Sequence, residues 1–110
     1  MSDVILDGRS LSLEDVRQVA LGPETEVGLS EEAGARMADS RALIERLVSS
    51  GEPVYGVTTG FGRLADVTIP PDDRTTLQHN LVRSHASGMG DAMDREAVRA
   101  LMVLRANALA

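Results

Sequence analysis

The sequence predicts a mainly α-helical chain with one or two short β-strands and one glycine-rich loop. Four segments repeat apolar residues at helical spacing, and each opens on a helix-starting residue. Only residues 4–6 and 26–29 have the length and composition of strands. Between the helical segments, residues 54–71 gather Gly56, Gly60 and Gly62 together with Tyr55 and Phe61, the one Tyr and one Phe of the chain.

In order along the chain, Val4-Ile5-Leu6 reads as a strand and Asp7-Gly8 as its turn. Ser12-Leu13-Glu14-Asp15 resembles a capping box with Asp in the third position, and Val16, Val19 and Ala20 follow as an apolar stripe. Gly22-Pro23 ends that helix. Residues 26–29 then form a second strand able to pair with the first. Ser30 with Glu31 and Glu32 opens a longer helix, with acids at the positive end of its dipole. Met37, Ile44, Leu47 and Val48 give its apolar positions, and Ser49-Ser50-Gly51 with Pro53 stops it. Asp72 or Asp73 is expected to cap the third helix, which carries Leu77, Leu81 and His85 at i, i+4 and i+8 and ends at Gly88-Met89-Gly90. The fourth helix begins near Asp94, and its many apolar residues predict burial on several sides. It runs uncapped into Ala110, so the chain is expected to be a fragment.

Composition excludes several classes of function. The 110 residues are 43% hydrophobic but only 2% aromatic, so the core must be aliphatic, and so small a chain needs further sequence or partners to complete it. Seventeen acids oppose 11 bases, all Arg, for a net charge of −6, which argues against nucleic acid as a partner. With 0 Cys there is no disulfide, thiolate metal site or cysteine nucleophile. No secretory signal and no membrane-length apolar run is present, so a soluble, cytoplasmic protein is expected. His79 and His85 lie six apart and share no helix face, so no metal site is expected.

Two stretches carry candidate chemistry. Tyr55-Gly56-Val57-Thr58-Thr59-Gly60-Phe61-Gly62 allows positive φ and close backbone approach. On composition alone it reads first as a packed loop with Tyr55 and Phe61 as anchors, and it matches neither nucleotide fingerprint. Residues 77–90 place His85 at the end of an apolar helix line, where a lone histidine is most often buried and satisfied. His79 is expected at the surface.

Together these stretches resemble the aromatic amino acid lyase family, which includes histidine, phenylalanine and tyrosine ammonia-lyases and related aminomutases. The resemblance rests on Leu6-Asp7-Gly8, Val54-Tyr55-Gly56-x-x-Thr59-Gly60-Phe61-Gly62, Leu77-Gln78-x-Asn80-Leu81, Ser84-His85-Ala86-x-Gly88-x-Gly90 and Leu104-Arg105. It covers essentially all of residues 1–110, and these correspond to the N-terminal part of a family member. It implies a helical lyase subunit, a homotetramer with active sites drawn from several subunits, and an amino-acid substrate. It also implies a methylidene-imidazolone electrophile, formed by cyclisation of an Ala-Ser-Gly downstream of this chain. Ala86-Ser87-Gly88 is not expected to be that precursor, because it directly follows the histidine motif at a helix end, so no cofactor-binding residue is assigned here.

By the same resemblance Tyr55 is the catalytic proton-transfer residue, while His85 and Gly62 are substrate-binding, with His85 lining the side-chain pocket. A phenol is a weak base at neutral pH and needs a positive or hydrogen-bonding neighbour to serve as one. Ser84-His85-Ala86 and the Arg95–Arg99 neighbourhood resemble bacterial histidine ammonia-lyases, implying histidine catabolism with conversion of L-histidine to urocanate. Thr58 departs from that pattern toward tyrosine ammonia-lyases and tyrosine 2,3-aminomutases. A non-catalytic module derived from a lyase is the alternative of another class, opposed by the presence of both Tyr55 and His85. Because the electrophile is expected to form downstream of it, residues 1–110 alone are expected to be inactive.

Overall fold

A computed structural model describes residues 3–110. The elements in chain order are β1 (Val4–Leu6), α1 (Leu13–Leu21), β2 (Val27–Leu29), α2 (Glu31–Ser50), a 3₁₀ turn (Gly62–Leu64), α3 (Pro71–His85) and α4 (Arg95–Leu109). They fall into two compact units, one formed by residues up to Ser40 and from Asp91 to Ala110, the other by Arg41–Gly90.

In the first unit β1 and β2 pair in parallel, with Val4 opposite Val27 and Leu6 opposite Leu29. The parallel direction follows from the connection, because α1 carries the chain back to the starting edge. Alternation along β1 buries Val4 and Leu6 and leaves Ile5 exposed. The aliphatic core consists of Val4, Leu6, Val19 of α1 and Val103 of α4, with Leu11, Val16 and Ala110 packed around it. The capping box forms as the sequence predicts: Asp15 N–H donates to Ser12 Oγ at 3.1 Å and Ser12 N–H to the Asp15 carboxylate at 2.8 Å.

Polar contacts over long sequence separations close this unit. The Arg99 guanidinium donates to the carbonyls of Val19 at 2.7 Å and Gly22 at 2.9 Å, placing a cation at the negative end of α1. Gly8 N–H donates to Asn107 Oδ1 at 3.0 Å. Gly8 has φ +78°, and a Cβ there would lie 2.5 Å from the Ala110 carbonyl oxygen, so the turn after β1 admits no side chain. The expected burial of α4 on several sides is not observed. Among the described residues only Val103 of that helix is buried, while Val98, Leu101, Met102, Leu104 and Leu109 are exposed.

In the second unit α3 starts differently from expectation. Pro70 is the N-cap and Pro71 the first helical residue, so Asp72 and Asp73 occupy the first turn and face the dipole without capping it. Proline supplies the helical φ in advance and loses no hydrogen bond there. The helix also stops earlier, at His85, with Ala86 as its C-cap. No described helix is long and apolar enough to cross a membrane.

Candidate active site

The loop between α2 and α3 is built around two threonines, not around its aromatic rings. Thr58 and Thr59 are 0% and 2% exposed, whereas Tyr55 is 63% exposed. Thr58 Oγ1 donates to the Glu52 carbonyl and accepts from Val54 N–H, each at 2.8 Å. Thr59 Oγ1 donates to the Gly60 carbonyl at 3.0 Å and accepts from Gly56 N–H at 3.2 Å. Each hydroxyl thus donates once and accepts once inside the loop, as burial requires. An antiparallel bridge between Thr59 and Thr68, with Gly60 N–H bonded to the Val67 carbonyl at 3.0 Å, ties the middle of the loop to the stretch before α3. The internal role of these threonines was not read from the sequence, where hydroxyls among glycines suit solvent or ligand equally well.

On this frame Tyr55 and Phe61 meet edge to face, with ring centroids 5.9 Å apart at 82°. Gly56 has φ +69°, and a Cβ there would lie 2.7 Å from the Phe61 ring, so the residue after Tyr55 is restricted to glycine on two counts. Gly62 N–H points at the phenol oxygen from 3.4 Å, a long contact that brings two of the sequence-predicted site residues together. The loop therefore holds the ring from one side and leaves Tyr55 largely exposed.

His85 is exposed, in contrast to the burial expected of a lone histidine on an apolar helix line; α3 has no buried residue at all. Its Nδ1 lies 2.9 Å from the Leu81 carbonyl and 3.1 Å from Ser84 Oγ. A carbonyl only accepts, so in the neutral ring the proton sits on Nδ1, and Nε2 is left as an acceptor. Ser84 Oγ directs its own proton to the same carbonyl at 2.8 Å, consistent with that assignment. Tyr55, Gly62 and His85 all belong to the second unit, and α3 reaches the loop through Gln78, whose amide donates to the Gly56 carbonyl at 2.9 Å.

An exposed tyrosine on a braced glycine loop, followed by a helix that ends in an exposed histidine with Nδ1 against a backbone carbonyl, matches the motifs read from the sequence. The sequence profile of the aromatic amino acid lyases matches residues 11–110. The chain belongs to the aromatic amino acid lyase family. Among this lyase chain's curated relatives, the histidine ammonia-lyase of Caldanaerobacter subterraneus subsp. tengcongensis is 49% identical over 110 residues, 100% of this chain and 22% of its own length. The histidine ammonia-lyase of Halalkalibacterium halodurans is 47% identical over 96% of this chain and 20% of its own length. Among solved structures, the ergothioneine-degrading ergothionase of Treponema denticola superposes with a TM-score of 0.87 at 37% identity, covering 96% of this chain and 21% of that one. The tyrosine aminomutase of Streptomyces globisporus gives 0.85 at 36%, covering 94% and 20%. The lyase chain thus spans about a fifth of the length of the relatives it matches.

The triplet Ala86-Ser87-Gly88 does not fit a methylidene-imidazolone precursor. All three residues are exposed, Ser87 Oγ donates to the Ser84 carbonyl at 3.4 Å, and a Cβ on Gly88 would meet nothing within 4 Å. Cyclisation needs the glycine nitrogen pressed against the alanine carbonyl in a tight, enclosed turn. This open segment offers neither.

Proposed function

We propose that the intact protein is an ammonia-lyase that converts L-histidine to urocanate and ammonia. The observation that carries this reading is the Tyr55 phenol, 63% exposed on a loop whose buried threonines fix it and with the Gly62 N–H directed at its oxygen. In the elimination a C–H bond at the β-carbon and the C–N bond at the α-carbon break, a carbon–carbon double bond forms, and ammonia leaves. Tyr55 takes the β-proton as the phenolate, whose charge the Gly62 N–H supports, and is left as the neutral phenol. Gly62, read as substrate-binding from the resemblance, lies next to the reacting side chain and contributes its backbone. His85 binds the substrate's side chain: its Nε2 accepts the imidazole N–H.

A methylidene-imidazolone formed outside residues 1–110 would supply the electrophile that activates the amino acid. The family resemblance further supports a cytoplasmic homotetramer with composite active sites. Thr58 and the similarity to a tyrosine aminomutase favour a second reading, a tyrosine ammonia-lyase or tyrosine 2,3-aminomutase, since Nε2 would accept a phenol O–H equally well.

Incubating the intact protein with L-histidine, L-tyrosine and L-phenylalanine side by side, and following the absorbance of the unsaturated acids, tests the reading. Urocanate is expected. Turnover of tyrosine with none of histidine would move the assignment to the second reading.

A further inference from the structure

We infer that Gln78 is a positioning residue for Tyr55, fastening the backbone next to the phenol to the helix face that carries His85. The inference rests on the lyase reading for its consequence and on the geometry of the loop for its existence.

Gly56, the residue after Tyr55, is held on both sides by side chains. Its N–H, in the peptide shared with Tyr55, donates to Thr59 Oγ1 at 3.2 Å. Its carbonyl accepts from Gln78 Nε2 at 2.9 Å. Thr59 secures the loop to itself, whereas Gln78 alone of the two secures it to another element. An exposed glutamine loses rotamer freedom when it is held in one place, so a solvated side chain is the default that this contact replaces.

Position on α3 gives the contact its meaning. Gln78 and His85 are seven residues apart, two turns that return to the same face and advance about 10 Å along the axis. The Gly56 carbonyl therefore docks on the line of α3 that ends in His85. Proton transfer by Tyr55 and side-chain recognition by His85 are thereby referred to one rigid helix, with the glutamine amide as the link. Displacement of a reacting group by about 1 Å is enough to slow a reaction by up to about 100-fold, so loss of this link falls on rate.

The test uses the intact protein and Gln78→Met, which keeps the length and removes the donor. Hydrogen exchange should quicken by about tenfold in residues 54–62 with α3 amides unchanged. In kinetics kcat should fall by about 10–100-fold with KM within about threefold. In a Tyr55→Phe background the same substitution should cost nothing more, because Gln78 acts through the phenol. Unchanged loop exchange, equal acceleration throughout α3, or an equal kcat loss in both backgrounds would each overturn the inference. A wild-type protein inactive on all three amino acids would refute the lyase reading instead, and the exchange result alone would then decide whether Gln78 fastens the loop.

Discussion

At His85 the backbone chooses the chemistry. With Nδ1 2.9 Å from the Leu81 carbonyl, a neutral ring protonated there keeps Nε2 as its acceptor. An acceptor favours substrates whose side chain ends in N–H or O–H and gives nothing to a plain phenyl ring. His85→Leu should therefore reduce kcat/KM for histidine far more than for phenylalanine, by about 10²–10⁴-fold in the ratio. Steady-state kinetics on histidine, tyrosine and phenylalanine would check this, and equal slowing of all three would show that His85 does not select the substrate. The identity of His85 as a candidate was legible in Ser84-His85-Ala86. Its exposure was not, because the line Leu77, Leu81, His85 has helical spacing whether or not another element covers it.

Among the elements, those written in local chemistry were legible and those set by distant partners were not. The Ser12–Asp15 box closes over three residues, and its spacing alone announces it. The sequence puts the start of α3 two or three residues too late because Pro70-Pro71 and Asp72-Asp73 are both starting signals, and proline takes the earlier position. Arg99 across the end of α1 was invisible, since its partners lie 77 and 80 residues away.

The β1–α1 segment has a pH dependence of its own. Hydrogen bonds from the Ser10 hydroxyl, and from the Ser10 and Arg9 backbone, pull the Asp7 carboxyl down from 3.8 to about 2, and those from Ser12 lower Asp15. Both groups bind protons more weakly folded than unfolded. Their contribution is complete above the unfolded value and is lost as pH falls through the folded one. The melting-temperature gap between the intact protein and Asp7→Asn should thus be largest above about pH 4 and narrow toward pH 2. A gap that widened on acidification would contradict the assigned bonds.

On the scale of the whole molecule, the 2% aromatic content correctly signalled a small aliphatic core, and the core residues of the first unit are all aliphatic. The apolar surface left open on α4, including Leu101, Met102, Leu104 and Leu109, suits association more than solvent. Residues 1–110 expressed alone should self-associate and show no lyase activity. Sedimentation with circular dichroism measures this, and a sharply melting compact monomer would contradict it. The central claim is that the phenol of Tyr55 performs the proton transfer of ammonia elimination. Its most direct test is the steady-state rate of urocanate formation by the intact protein and by Tyr55→Phe, which keeps the ring against Phe61 and removes only the oxygen. The account predicts a kcat lower by about 10²–10⁴-fold with KM little changed; an unchanged kcat, or a change confined to KM, would contradict it.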